Sequence, residues 1–325
     1  MRVALLHNEK PLEASLQGDA FEEYDSPGTI AAIACALRGL GVEVEPLEAG
    51  RTLPARLAAG HYDFAFNIAE GFGRRCREAV APALCELFGL PYTGSDALTL
   101  ATTLDKAVAR RLVAPDVRVA RAVLIVDNET GLEDLRYPVV VKPNDEGSSK
   151  GIRRDALVDS VTEARRISRR LRHEYACPVL VEEFLPGAEV TVGILGNGAA
   201  TAIAGMMEIA PKSAGGRFLY SIEAKRDWRR EVDYHIPPRL CEEELAALEQ
   251  DALTAYRRLG CRDLARIDFR FDESGQPVFL ECNALPGLDP DNSDMVLLSR
   301  PGMPYECLVQ RILVEACKRT GVALP

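Results

Sequence analysis

Near the end of the chain, two short segments bring together residue types that suit a hard cation. Ala265-Arg-Ile-Asp-Phe-Arg-Phe271 alternates strictly, so Ala265, Ile267, Phe269 and Phe271 share one face of a strand and Arg266, Asp268 and Arg270 the other. Asp272-Glu-Ser-Gly-Gln276 reads as a turn, and Pro277-Val-Phe-Leu-Glu-Cys-Asn283 as the return strand. Pairing symmetric about that turn sets Asp272 against Pro277, Asp268 against Glu281 and Arg266 against Asn283. Facing carboxylates repel and weaken a hairpin. A bound Mg²⁺, which prefers oxygen ligands shared with substrate phosphates, removes that penalty. Spacing alone leaves two readings: a metal site, or an exposed polar face balanced by Arg266 and Arg270.

A second segment suits phosphate. The buried run Tyr137-Pro-Val-Val-Val-Lys142 ends on a lysine and is followed by Pro143-Asn-Asp-Glu-Gly-Ser-Ser-Lys-Gly151. Backbone N–H groups and hydroxyls of such a loop can close around phosphate oxygens while the lysine supplies charge. The spacing is neither that of a P-loop nor that of a dinucleotide fingerprint, and an ordinary surface turn fits the loop equally well. Arg74, Arg75 and Arg77 make a basic cluster that reads either as a bidentate grip on a substrate carboxylate or as a solvated loop.

These residues need elements to hold them. Strands are expected at 2–7, 41–46 and 62–68, with helices from Pro27 to Gly39 and from Ala79 to Phe88. That order predicts an α/β unit over 1–101, an open parallel sheet with helices on both faces. A second unit, 102–186, carries a helix at 102–114, strands at 119–125, 137–142 and 178–183, and an arginine-rich helix at 159–174. A third unit, 187–325, begins with strands at 188–195 and 199–208. A polar stretch at 210–235 without clear periodicity reads as a lid loop. Helices at 242–259 and 305–319 flank the hairpin.

Composition narrows the function. A net charge of −10 disfavours general nucleic-acid binding. No apolar run approaches a membrane span, and MRVALLHNEK turns polar too soon for a signal peptide. Nine cysteines without a C-x-x-C pair read as reduced thiols of a cytoplasmic protein rather than a zinc site.

Taken together, Lys106 in Leu-Asp-Lys, Lys142-Pro-x-x-Glu-Gly-Ser-Ser149, Val181-Glu-Glu-Phe-Leu-x-Gly-x-Glu189, Arg266-Ile-Asp268 and Glu281-Cys-Asn-x-x-Pro-Gly287 resemble the ATP-grasp ligases. Pro91-Tyr-Thr-Gly-Ser95 and Glu223-Ala-Lys225 are similar to the D-alanine–D-alanine ligases among them. The resemblance runs in order from about residue 60 to the C-terminus. It implies a three-domain ATP-grasp fold, α+β in its nucleotide-binding part, and amide formation from a carboxylate and an amine through an acyl-phosphate. It implies ATP and Mg²⁺, with Mn²⁺ an acceptable substitute, and a homodimer. Lys106 and Lys142, with Ser148 and Ser149, would meet the ATP phosphates, and Lys225 the γ-phosphate when the lid closes. Glu182, the backbone near Leu185 and neighbouring Glu183 would hold adenine, and Glu189 the ribose. Asp268, Glu281 and Asn283 would bind Mg²⁺. Arg266 and the Gly287 N–H would stabilise the oxyanion.

The substrate half departs from that pattern. The N-terminal glutamate motif is missing; Leu6-His-Asn-Glu-Lys-Pro11 stands there, making Glu9 one replacement, with Glu22 and Glu23 as others. Arg226 replaces the lid tyrosine, while Ser148 keeps its place in the substrate triad. Glu70-Gly-Phe-Gly-Arg-Arg-Cys-Arg-Glu78 replaces a histidine-led segment, which makes Arg74, Arg77 and Glu78 substrate candidates. Pro286-Gly-Leu-Asp-Pro-Asp-Asn-Ser-Asp294 replaces the acceptor clamp, with Asn292 and Ser293 nearest its place. The pattern therefore points to an amino acid or an amino-acid-derived amine as substrate. A plain D-alanine–D-alanine ligase and a non-ligating phosphotransferase or ATP-binding module stand as alternatives.

Overall fold

A computed structural model describes residues 1–11, 18–73, 75–213 and 217–325. The first part of the chain runs β1 (Arg2–His7), α1 (Pro27–Arg38), β2 (Glu43–Glu48), α2 (Leu53–Ala59), β3 (Phe64–Asn67), α3 (Val80–Leu87), α4 (Ala97–Leu104) and α5 (Lys106–Val113). β2, β1 and β3 form a parallel sheet in that order. Parallel strands need crossovers, and α1 and α2 supply them. Ser26 caps α1 by accepting the Thr29 N–H, and Pro27 opens the helix where its missing N–H costs nothing. The helix expected at 102–114 is two helices. Asp105, with ψ 97°, ends α4 and caps α5, because its side chain accepts the Val108 N–H.

The middle of the chain holds β4 (Ala122–Ile125), β5 (Val139–Pro143), β6 (Leu157–Val158), α6 (Val161–Tyr175) and β7 (Val179–Glu183). Its antiparallel sheet has the order β4-β7-β5-β6, with α6 packed on it through Ala164, Ile167 and Leu171.

The last part holds β8 (Glu189–Leu195), β9 (Ala202–Pro211), α7 (Ile222–Arg226), α8 (Trp228–Glu231), β10 (Val232–His235), α9 (Glu242–Leu259), β11 (Leu264–Phe271), β12 (Pro277–Asn283), α10 (Asp294–Ser299) and α11 (Tyr305–Thr320). Its antiparallel sheet runs β10-β9-β8-β11-β12. The stretch expected as a loop at 210–235 is largely ordered: α7, α8 and β10 occupy most of it, and 214–216 lie outside the described residues. α11 returns to the start of the chain, where Leu308, Ile312 and Leu313 share a core with Ile30, Ile33 and Leu37 of α1.

The hairpin corrects the symmetric register. Phe271, not Asp272, faces Pro277, and the register shifts between Asp268 and Phe269, which leaves Leu280 as an extra residue. This bulge restores Asp268 opposite Glu281 and Arg266 opposite Asn283. Behind it Ala265, Ile267, Phe269 and Phe271 are buried in one core with Phe279. Burying each large side chain there contributes about 1.5–3 kcal/mol, enough to hold the polar face in register.

Candidate active site

Two connected hollows lie over the polar face of the hairpin. One is a cleft between the two antiparallel sheets, lined by Val140, Ile152, Leu185, Ile209, Leu219 and Leu280 beside Lys142, Glu182, Glu183 and Glu189. The other is a cavity of about 390 Å³ reaching the first part of the chain. Ser148, Tyr220, Lys225, Arg266, Glu281 and Asp294 line both. Aliphatic walls with a few polar groups suit a flat base and its sugar.

The lysines are fixed by their local structure. Asp105 caps α5 at 3.0 Å from the Val108 N–H and also takes Asn144 Nδ2 at 2.8 Å. This ties the first turn of α5, and hence Lys106, to the end of β5, where Lys142 lies. Lys106 Nζ rests 3.1 Å from Glu281, and Lys142 Nζ 2.5 Å from Glu182. Glu182 also pairs with Arg110 at 2.7 Å. Burial opposes its ionisation, but Lys142 and Arg110 outweigh that and keep its carboxyl below the ordinary range. Arg110 escaped the sequence reading, although it follows Lys106 by four residues on the same helix face. Ser148 and Ser149 sit at φ 50° and 57°, a left-handed conformation that costs free energy in any residue but glycine and clusters at ligand sites. Ser149 Oγ donates to the Tyr220 carbonyl at 3.3 Å, which ties this loop to the segment just before α7.

At the hairpin, Asp268 accepts from Arg266 Nε at 3.1 Å and Nη2 at 2.9 Å, from Thr191 Oγ1 at 2.6 Å and from Asn283 Nδ2 at 3.3 Å. Burial works against ionising either facing carboxyl. At Glu281 the charges of Lys106, Lys142 and Arg266 prevail and hold it down at about 2. At Asp268 burial prevails over Arg266, with Glu281 adding to it, and the carboxyl shifts up. Two carboxylates and a carboxamide form an all-oxygen donor set, which fits Mg²⁺ rather than a softer metal. Burial also pushes Glu189 up to about 7 against the pull of Arg270, whose Nη1 lies 3.0 Å away. Arg270 is therefore no solvent-facing counter-charge: it is buried and stacks over Phe184 at 4.5 Å.

The substrate candidates divide. Glu9 is exposed and outside the cavity, held beside Asp25 by an isolated bridge; Glu22, Glu23 and Asp25 line the cavity instead. Arg74 lies outside the described residues. Arg75 pairs with Asp105. Arg77 does not present a free fork to a ligand, because its Nη2 donates to both Glu23 oxygens at 2.9 and 3.0 Å and its Nη1 to the Asp145 carbonyl. Gly71 makes that loop possible: at φ +70° its N–H reaches Asn8 Oδ1, and a Cβ would lie 2.2 Å from the Arg77 carbonyl.

Glu78 is buried and lines the cavity with Glu70; one oxygen from each of them and from Glu23 lie within 4.8 Å of one another. Burial pushes Glu78 up to about 8 and Glu70 well above its usual value. Arg226 holds Glu22, and its Nη2 also donates to the Gly18 carbonyl. Asn292 and Ser293 line the cavity wall; Ser293 Oγ accepts the Asp289 N–H at 2.8 Å. Gly287 packs so closely that a Cβ would lie 3.0 Å from Ser293 Oγ. The sequence reading also missed Asp294, which accepts from Arg266 Nη1 at 3.1 Å, and the Tyr220–Tyr234 hydroxyl pair at 2.6 Å. Asp294 ends the Pro286–Asp294 segment that stands in place of the acceptor clamp, while Tyr220 and Tyr234 stand in no motif.

Residues 123–314 match the family model described as the D-ala D-ala ligase C-terminus. A D-alanine–D-alanine ligase of Geobacter sulfurreducens is 35% identical over 293 residues, covering 88% of this chain and 87% of that protein. An uncharacterized protein of Sinorhizobium fredii is 33% identical over 276 residues, covering 83% and 79%. A crystal structure of D-alanine–D-alanine ligase from Bacillus anthracis complexed with ATP matches with a TM-score of 0.76 at 19% identity, over 99% of each chain. The VanG D-Ala:D-Ser ligase of Enterococcus faecalis matches at 0.75 and 20% identity, over 97% and 99%. At these identities the structural likeness shows the fold, which is ATP-grasp. The chain belongs to the D-alanine–D-alanine ligase family and is an ATP-dependent carbon–nitrogen ligase.

Proposed function

We propose that this ligase activates the carboxylate of an amino acid and joins it to an amine other than a second D-alanine. The observation that carries this reading is the pair of connected hollows over one polar hairpin face, with the acid-rich wall of Glu70 and Glu78 and a closed Arg77 in the substrate half. On this reading Lys106, Lys142 and Lys225 neutralise the phosphates. Glu182, Glu183 and the backbone at Leu185 hold adenine, and Glu189 the ribose. Asp268, Glu281 and Asn283 hold Mg²⁺, which when bound supplies charge for the phosphate oxygens. Glu70 and Glu78 receive the substrate ammonium beside Ser148.

The carboxylate oxygen attacks the γ-phosphorus and ADP leaves. The amine nitrogen then attacks the acyl carbon, the C–O bond to phosphate breaks with its electron pair, and the ammonium proton passes to solvent. Arg266 and the Gly287 N–H face the charge that develops on the acyl oxygen. Three sheets with their own helices support division into an N-terminal substrate domain and two nucleotide-binding subdomains, with the first boundary ahead of α4, which runs through residue 101 and packs Leu100 into the core of the last sheet, and the second at about residue 186. Exposed Val80 and Leu87 on α3, Phe88 just past its end and Leu98 on α4 support a homodimer. All nine cysteines are free thiols, which supports a cytoplasmic protein. Among the described residues no helix is long and apolar enough to cross a membrane.

Phosphate release from ATP, measured across amino-acid pairs with the products identified by mass, tests the function. Release that needs both a carboxylate and an amine supports it, and release indifferent to the amine overturns it. D-alanyl-D-alanine as the best product would show the plain family activity, which the names of the relatives favour.

A further inference from the structure

Arg270 stands on the polar face of β11, directly opposite Glu189 of β8 in the antiparallel register. Opposite charges so placed attract across a sheet. Both residues line the cleft between the two antiparallel sheets. Arg270 is only 6% exposed, yet its guanidinium reaches three walls of that cleft. Nη1 donates to Glu189 Oε2 at 3.0 Å. Nη2 donates to the Phe218 carbonyl at 2.8 Å, on the segment just before α7. Its flat face lies 4.5 Å over the Phe184 ring, just past the end of β7.

A buried ion pair is weak evidence for stability, because desolvating two charges offsets most of their attraction. What this pair provides is orientation. A free glutamate side chain swings through many rotamers, and one that must meet a ligand gains from being fixed beforehand. The guanidinium is a planar fork. With one nitrogen on Glu189 and the other on Phe218, it sets the position of the carboxylate. Only Oε2 is taken; among the described residues nothing donates to Oε1. The Glu189 side chain keeps 13% of its surface exposed and faces the cleft, so Oε1 can accept from a ligand hydroxyl.

We infer that Arg270 is a positioning residue for the ribose of the nucleotide. It fixes Glu189 so that Oε1 meets the sugar hydroxyls. It also ties that seat to the segment before α7, whose Leu219 and Tyr220 wall the cleft. The inference rests on the ligase reading above, in which Glu189 holds the ribose. A nucleotide that lacks a sugar hydroxyl leaves the fixed oxygen partly desolvated and without a donor, whereas a mobile carboxylate would turn away toward water. Arg270 therefore sets how sharply the chain tells ATP from its deoxy forms.

Calorimetry of the full chain with Mg²⁺ and ATP, 2′-deoxy-ATP or 3′-deoxy-ATP tests this without an amino-acid substrate. We expect the wild type to bind ATP more tightly than the weaker deoxy form by roughly thirtyfold, and Arg270→Met to cut that ratio to roughly threefold, mainly by weakening ATP. A merely structural role would weaken all the nucleotides alike and leave the ratio in place. A ratio unmoved in a folded Arg270→Met protein therefore overturns the inference alone. If that variant does not fold, Arg270→Lys decides, because one ammonium cannot reproduce the fork: an intermediate ratio supports the inference, and the wild-type ratio overturns it. A wild type that binds ATP and both deoxy forms alike overturns the Glu189 assignment and this inference while the ligase reading stands. Failure to bind any of these nucleotides overturns the ligase reading and this inference with it.

Discussion

Lys106 Nζ lies 3.1 Å from Oε2 of Glu281, so a lysine suited to phosphate leans on a carboxylate suited to metal. Each neutralises the other in a buried site. Burial lowers the affinity of Lys106 for its proton, but Glu281 outweighs it and the amine stays charged. We expect Glu281→Gln to lower turnover by roughly a hundredfold or more at saturating Mg²⁺, with a cooperative unfolding transition retained. Phosphate release across an Mg²⁺ titration, beside a thermal melt, checks this, and undiminished turnover rejects Glu281 as a metal ligand.

Arg77 and Glu23 form an ion pair whose side chains are only 6% and 7% exposed. Lys150 adds a second cation to Glu23 at 3.1 Å. Removing one member strands the other in a desolvated site, at a cost of about 3–5 kcal/mol. Glu23→Ala should therefore lose more stability than an exposed substitution does. The Glu23→Ala/Arg77→Ala double variant should lose less than the two single losses combined. Chemical denaturation of the three variants measures the coupling; strict additivity would show that the pair is not a unit.

Glu78 gives a pH dependence. Its carboxyl is raised to about 8 in the folded protein, by burial first, with Glu23 and Glu146 opposing the pull of Arg77 and Lys106. A raised carboxyl means that the folded state holds its proton after the unfolded chain has released it near 4.5. Stability from this group is then present below that value and is lost as pH rises through about 8. Without ligands, the melting temperature should fall between pH 5 and 8, and Glu78→Gln should flatten that slope and raise the melting temperature at the alkaline end. A slope unchanged by the substitution would assign it to other groups, Glu70 foremost.

Arg110 acts on the nucleotide through Glu182. Its Nη1 holds Glu182 Oε2 at 2.7 Å while Lys142 takes Oε1. Arg110→Met leaves Glu182 on Lys142 alone and draws that lysine away from phosphate. The KM for ATP should rise roughly tenfold, which corresponds to about 1.4 kcal/mol. Steady-state kinetics at saturating amino acid would show it, and a fall in kcat with KM unchanged would place the effect elsewhere.

The sequence by itself determined the polar face of the hairpin, because strand geometry forces alternate side chains to opposite sides whatever the rest of the chain does. Arg266, Asp268, Glu281 and Asn283 therefore stood together before any fold was known. Lys142 and the Ser148–Ser149 loop were legible as a candidate phosphate site from their local segment, with an ordinary turn as the other reading, whereas Lys106 was named only through the resemblance to the ATP-grasp ligases. The symmetric register was right at Asp268 but wrong at Pro277, since only the tertiary structure introduces the bulge at Leu280. Folding also decided what the charges are spent on. Arg77 meets Glu23 across 54 residues of chain, and Arg266 meets Asp294 across 28. No periodicity encodes such pairs, because they depend on how separate elements dock. Docking turned a candidate carboxylate grip at Arg77 into an internal ion pair. It also closed Arg266 between two carboxylates and left the substrate end of the cavity acidic.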